Sequence, residues 1–340
     1  MKIAYIQALA AAAVLFILSA CSSEKMPVVH LNGETMGTTY NIKYVVEGES
    51  TVEELQAKVD ERLVEINKLM STYDMTSELS RFNQYRYTDT FAVSDETQLV
   101  VTEALRLGEL SDGVLDITVG PMVNLWGFGP NKRPAQIPTQ AEIEEVRDYV
   151  GLDKLAVSNA GLTKRHPMVY VDLSTIAKGY GVDQVAELLE RRGLKNYLIE
   201  IGGEMRVRGH RGNGDPWLIA IEKPVTTERA IQKVVSIGRN AIATSGDYRN
   251  YYEDDGVRYS HLIDPRTGKP ITHNLVSVTV VHPSSMTADG LATAFNVMGW
   301  DQAKSLAENE GLAVLLIRKT ENGFEEYISS EFDKIVDVHD

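Results

Sequence analysis

Val171-Asp172-Leu173-Ser174-Thr175-Ile176-Ala177-Lys178-Gly179-Tyr180 is the stretch from which the fold is read. Apolar residues end in an acid, the chain turns through a serine and a threonine, and a helix opens with a lysine in its first turn. Free N–H groups at a helix start collect anions. A lysine there opposes the helix dipole, so Lys178 either meets an anionic partner such as a phosphate or is solvated. Outward from this point, strand-like and helix-like segments alternate without a clear linker. Helical periodicity predicts helices at 51–70, 94–110, 139–150, 176–192, 286–297 and 301–309. Thr51 with Glu54, and Thr139 with Glu142, have capping-box spacing, Ser94 reads as an N-cap, and Gly151 reads as a stop. In the first helix Leu55, Val59, Leu63, Ile66 and Met70 form one apolar stripe. Apolar or alternating runs predict strands at 28–31, 39–46, 168–172, 197–201, 217–221, 275–281 and 312–317. Loops are expected at 127–138 and 209–216. The order is not a regular βαβ alternation. The expected class is α+β: mixed, with mainly antiparallel sheets flanked by helices.

The N-terminus is of a different kind. Lys2 is the only charge before Glu24, and residues 8–18 are almost wholly apolar. That run is short of the roughly 20 residues of a spanning helix. It has the layout of a secretory signal, with a basic start, an apolar middle and small residues at the end. Leu18-Ser19-Ala20-Cys21 resembles a bacterial lipobox, in which the cysteine is lipidated and becomes the first residue of the mature chain. The expected organisation is a signal peptide over 1–20 and one folded domain over 21–340. Cys21 is the only cysteine in 340 residues, which excludes an internal disulfide and a Cys-rich zinc site. A net charge of −14 argues against nucleic acid as a partner. Apolar content of 43% is that of a globular chain, and no internal repeat is present.

The familiar nucleotide and nucleophile fingerprints are missing: G-x-G-x-x-G, G-x-x-x-x-G-K-[ST], G-x-S-x-G and H-E-x-x-H. Four other clusters carry chemistry. Asp289 and Thr293 are four apart at a predicted helix start and share a face. A carboxylate and a hydroxyl without Cys or His suit Mg²⁺, although Asp289 can equally be a helix cap and Thr293 a packed residue. The second cluster is the opening stretch around Lys178. The third is His261-Leu-Ile-Asp264-Pro265-Arg266-Thr267-Gly268, a tight turn after a strand from Val257, with His261 either a base or a structural residue. The fourth runs from Ser111 through Asp116 to Trp126-Gly127-Phe128-Gly129. Its glycines and aromatics either hold a planar ring or serve as core and turns.

In this order the clusters resemble the ApbE family of FAD:protein FMN transferases, from about Met36 to at least Gly299. The matching pieces are Met36-Gly-Thr-Thr-Tyr40, Ser71-Thr-Tyr-Asp74, Ser80-Arg-Phe-Asn83, Leu115 to Pro121, Asp172 to Gly181, Gly202-Gly203, Thr244 to Tyr248, His261 to Gly268 and Ala288 to Thr293. The resemblance implies that Asp289, Thr293 and Thr175 are Mg²⁺ ligands, with backbone oxygens at Ala177 and Ala292 contributing. It implies that Met36, Tyr73, Val114, Leu115, Asp116, Asp172, Lys178 and Ile263 line the FAD site, with Tyr73 stacking on a ring, and that His261 borders the pocket as the base. Three positions depart from the family pattern. Gly113-Val114-Leu115 stands where Gly-Ala-Phe is common, Ser174-Thr175 stands where Gly-Gly is common, and Glu204 stands where Asp or Asn is common.

The implied reaction is Mg²⁺-dependent transfer of FMN from FAD to a Thr or Ser hydroxyl of a target protein, with AMP leaving. There are two alternatives: a Mg²⁺-dependent FAD pyrophosphatase giving FMN and AMP on an almost identical site, and a non-enzymatic periplasmic flavin-binding lipoprotein, which needs the aromatic and glycine loop but not the Asp289–Thr293 pair. The implied partners are flavin-accepting subunits of membrane redox complexes. The implied location is the periplasmic side of the bacterial inner membrane, held by the lipid anchor.

Overall fold

The computed structural model describes residues 25–46, 52–129, 137–225, 230–246, 251–254 and 257–339. Cys21, the signal segment, Thr51 and Asp247-Tyr248 lie outside them. The centre is an eight-stranded sheet built from β1 (Val28–Thr35), β2 (Thr38–Val45), β3 (Tyr197–Ile201), β4 (Glu204–Arg208), β5 (Ala241–Gly246), β6 (Leu275–His282), β7 (Ala313–Thr320) and β8 (Gly323–Ile328). These strands neighbour one another in chain order, and each pairing is antiparallel. The sheet is therefore a meander, and the remaining elements are inserted between its strands, except a helix at Ser330–Ile335 and a strand at Asp337–His339 that follow β8. The expected α+β class with mainly antiparallel sheets holds.

The long β2–β3 insertion carries helices α1 (Val52–Met70), α2 (Asp95–Leu110) and α3 (Ala177–Arg191), with shorter helices at Glu78–Gln84, Gly120–Leu125 and Gln140–Arg147. The β6–β7 insertion carries α4 (Ser285–Met298) and α5 (Trp300–Asn309). Side chains alternate across the sheet with period two. Val278, Val280, Val314 and Leu316 face the helices, whereas Val281, Ala313, Leu315 and Ile317 face a three-stranded sheet of Ile219–Glu222, Ile231–Ser236 and Asp337–His339. Covering both faces buries β6 from Leu275 through Val281, including the hydroxyl residues Ser277 and Thr279 that alternate with its valines. α4 is also buried almost all round, so it runs through the interior rather than over it.

The stripe Leu55, Val59, Leu63, Ile66 and Met70 is buried as the periodicity predicts. The capping box at Thr139 and Glu142 is present, but its helix ends at Arg147, short of residue 150. The expected strand at 168–172 is not formed. Val169 and Val171 are buried, but the backbone here is served by a side chain instead of a neighbouring strand. The Asn83 amide donates to the Val171 carbonyl at 2.8 Å, and its oxygen accepts the Val171 N–H at 2.7 Å. The Asp172 N–H goes to the Ile117 carbonyl. Apolar patterning reports burial and cannot tell these partners apart.

Candidate functional site

The start of α3 has no side chain of its own to cap it. Its Gly179 N–H is taken at 3.0 Å by Asp289 Oδ2, which reaches across from α4. α4 is capped locally by Ser284 and, in return, by Asp183 of α3. Asp183 accepts the N–H groups of Ser285 (3.0 Å) and Met286 (3.1 Å) and the Ser284 hydroxyl (2.7 Å). It also pairs with Arg206 at 2.6 Å. The two helices can do this because they touch at a glycine. A Cβ on Gly179 would lie 2.3 Å from the Ser285 carbonyl oxygen. Asp289 is thus not the cap of its own helix but a buried carboxylate serving another one.

Lys178 is neither solvated nor alone. Its ammonium stands 3.2 Å from Glu204 Oε1 and 3.6 Å from Asp289 Oδ1. Both carboxylates are buried, and loss of hydration pushes both pKa values up. The repulsion of Asp289 adds to the rise at Glu204, and the ammonium opposes it. Burial pulls Lys178 down, but its two carboxylates prevail and hold it above its ordinary value, so it stays charged at neutral pH. Two buried oxygens at this point have no hydrogen-bond partner among the described residues, Thr175 Oγ1 and Glu204 Oε2. Buried polar atoms are seldom left so, and a ligand or a water at this point would satisfy them.

The cluster lies where two cavities adjoin. One, of about 350 Å³, is lined by Val114, Leu115, Asp116, Thr175, His261, Ile263, Asp289, Ala292 and Thr293 among others. The second, of about 630 Å³, is lined by Met36, Asn67, Ser71 and Ala177. Tyr73, Asp172, Ser174 and Lys178 line both. Every site residue expected from the sequence, Cys21 apart, therefore lies on one of two adjoining walls. Asp116 is buried, which raises its pKa despite hydrogen bonds from the Thr118 N–H (2.7 Å) and hydroxyl (2.6 Å). Asp172 accepts the Ser174 N–H at 2.9 Å, which shapes the turn into α3. Tyr73 is 75% exposed where the two cavities adjoin. Met36 occupies the β1–β2 turn at φ 51°, followed by Gly37 at φ 71°, a type I′ pattern. A methionine rarely adopts that conformation, and here it aims the side chain at Gly181 and the second cavity.

His261 directly follows the strand from Val257 and borders the first cavity. It ends a ladder of rings: Trp126 on Tyr259 (5.7 Å), Tyr259 on Tyr252 (5.2 Å), Tyr252 on Phe128 (5.1 Å), and Phe128 edge-on to His261 (6.4 Å). Trp126 Nε1 also donates to the Gly268 carbonyl at 2.8 Å. The aromatic loop and the Asp264–Gly268 turn are thereby one wall. Sequence reasoning left Glu204 and Asp183 out of the site. An acid directly after Gly202-Gly203 was the available signal for Glu204, while nothing local marks Asp183, whose partners at the start of α4 lie about a hundred residues away.

Comparison with known proteins shows which family the chain belongs to. The model of the ApbE family matches residues 36–316. The chain is 53% identical to a FAD:protein FMN transferase of Vibrio cholerae over 95% of this chain and 97% of that protein. It is 48% identical to one of Haemophilus influenzae over 98% of each. Among solved structures it resembles the flavin transferase ApbE from Vibrio cholerae, with a TM-score of 0.86 and 52% identity over 91% of this chain and 99% of that one. It also resembles the Pseudomonas stutzeri flavinyl transferase ApbE in its apo form, with a TM-score of 0.85 and 37% identity over 92% and 98%. With a family match across most of its length, relatives near half identity and a shared fold, this chain belongs to the ApbE family.

Proposed function

We propose that this chain is a FAD:protein FMN transferase, moving the FMN moiety of FAD onto a Thr or Ser hydroxyl of a target protein. The observation that carries the reading is Lys178 at the start of α3, charged, at the junction of two cavities. A dinucleotide has two ring systems joined by a pyrophosphate. Its rings would occupy separate lobes, with its negative centre beside the Lys178 ammonium at the start of α3.

Among the described residues, no group of three or more His, Cys, Asp or Glu side chains is placed to hold a metal. The donors we assign to a cation are the Asp289 carboxylate, the Thr293 hydroxyl and the partnerless Thr175 hydroxyl on the first cavity, with the backbone oxygens at Ala177 and Ala292 that the family resemblance implies. All are hard oxygens with a single carboxylate, which fits Mg²⁺, an ion that shares its coordination with substrate phosphates and water. Bound there, Mg²⁺ would supply charge neutralisation at the pyrophosphate. In the transfer, the acceptor oxygen bonds to the FMN-side phosphorus, the bond from that phosphorus to the bridging oxygen breaks, and AMP leaves. The acceptor proton passes to His261. Lys178 offsets charge on the departing phosphate, and the buried walls hold the reacting groups in line.

The lipobox at Leu18–Cys21 supports a lipid anchor at Cys21 after removal of residues 1–20, with the folded domain of 21–340 on the periplasmic side of the inner membrane. No helix among the described residues is long and apolar enough to cross a membrane. Acceptors there would be flavin-carrying subunits of membrane redox complexes. Intact-mass analysis of an acceptor after incubation with FAD tests the transfer. One FMN adduct per AMP released supports it, whereas FMN and AMP released with unmodified acceptor would make the chain a pyrophosphatase.

A further inference from the structure

Glu204 opens β4 directly after the Gly202-Gly203 turn and is 5% exposed. Its Oε1 lies 3.2 Å from Lys178 Nζ, closer than the 3.6 Å between Lys178 and Asp289 Oδ1. Asp289 Oδ2 is committed to the Gly179 N–H. Oδ1 is therefore the oxygen with which Asp289 can meet a cation, and Lys178 is the charge that competes for it. An ammonium beside a lone buried carboxylate closes to about 2.8 Å. Here it stands between two, 3.2 Å from Glu204 on β4 and 3.6 Å from Asp289 on α4. The lysine stem is confined as well. A Cβ on Gly202 would lie 3.2 Å from Lys178 Cδ and 2.9 Å from Thr38 Cγ2, so the two-glycine turn packs directly against it.

We infer that Glu204 is a positioning residue that draws Lys178 away from Asp289, leaving Asp289 Oδ1 open to a divalent cation and directing the ammonium toward the substrate phosphates. This inference rests on the Mg²⁺ reading of the site given above. Without the carboxylate of Glu204, Lys178 has Asp289 as its remaining partner and should pair with it directly.

The test is Mg²⁺ binding by full-length protein saturated with FAD, read from the Mg²⁺ dependence of the thermal midpoint and from Mn²⁺ uptake by electron paramagnetic resonance. Glu204→Gln should raise the cation concentration for half-saturation about tenfold or more, and Glu204→Asp should stay near wild type. In a Lys178→Met background, Glu204→Gln should no longer shift it, since the competitor is gone. A purely structural Glu204 would lower the thermal midpoint without moving the half-saturation point. Glu204→Gln binding cations like wild type, or a shift that persists without Lys178, would overturn the inference while leaving the Mg²⁺ site standing. A wild-type protein indifferent to both ions would overturn the Mg²⁺ site and this inference together.

Discussion

Asp183 and Asp289 hold each other's helices: Asp183 on α3 accepts the first N–H groups of α4, and Asp289 on α4 accepts the Gly179 N–H of α3. The exchange ties structure to chemistry. One carboxylate of the pair anchors the crossing, while the other keeps an oxygen for the site. Because both helix starts are fixed by the neighbouring helix, Thr175, Lys178, Asp289 and Thr293 share one frame with little freedom to drift.

Asp183→Ala should be strongly destabilising. It leaves Arg206 without its partner at 2.6 Å and three donors of α4 without an acceptor. Breaking a buried pair in this way costs about 3–5 kcal/mol. Urea unfolding followed by circular dichroism measures it, and a loss within about 0.5 kcal/mol, the range of an ordinary surface change, would contradict the capping role.

Asp289→Asn separates the two duties of that residue. The amide oxygen still accepts the Gly179 N–H, so the far-ultraviolet spectrum should be unchanged. The charge is gone, so transfer should fall by about 100-fold or more, as at sites that lose a metal-facing carboxylate. Near-normal transfer at limiting Mg²⁺ would remove Asp289 from the cation site.

Tyr73→Ala tests the exposed ring where the two cavities adjoin. With the side chain 75% exposed, stability should move by no more than about 0.5 kcal/mol. Loss of an aromatic face against a planar ligand should weaken FAD binding by about 1 kcal/mol, or roughly fivefold. Flavin fluorescence quenching reads the affinity, and unchanged binding would place the ring stack elsewhere.

Lys164 predicts a pH signature away from the site. It is buried beneath the Phe82 ring, 4.6 Å from its centroid, and donates to the carbonyls of Asn83 (3.3 Å) and Tyr85 (2.9 Å). Burial pulls its pKa from 10.5 to about 8. Between those values the unfolded chain holds a proton that the native state has shed. Stability from this group therefore rises with pH from about 8 to 10.5, by roughly 3 kcal/mol. The difference in unfolding free energy between wild type and Lys164→Met, followed across that range, should show the slope. A flat difference would mean that the ammonium stays protonated in the fold.

Much of this was legible in the sequence where a short-range rule governs. The apolar stripe of α1, the Ser94 and Thr139 caps, and the Asp264–Gly268 turn each depend on residues within a few positions, and each formed. The pieces of the site were legible as motifs, because the side chains that line one cavity wall come in short runs such as Val114-Leu115-Asp116. What escaped was long-range exchange. The Asn83 amide replaces a strand partner for Val171, Asp183 caps a helix a hundred residues on, and Glu204 meets Lys178 only when β4 docks beside α3. No local pattern encodes such partners, since each residue would look ordinary with any other neighbour.

The most direct test is covalent flavin on an acceptor. The protein without its first 21 residues is incubated with FAD, Mg²⁺ and a candidate acceptor domain, and the mixture is run on a denaturing gel under ultraviolet light. A fluorescent acceptor band that disappears with chelator, and with Asp289→Asn, is the predicted result. A dark acceptor band beside free FMN and AMP would contradict transfer.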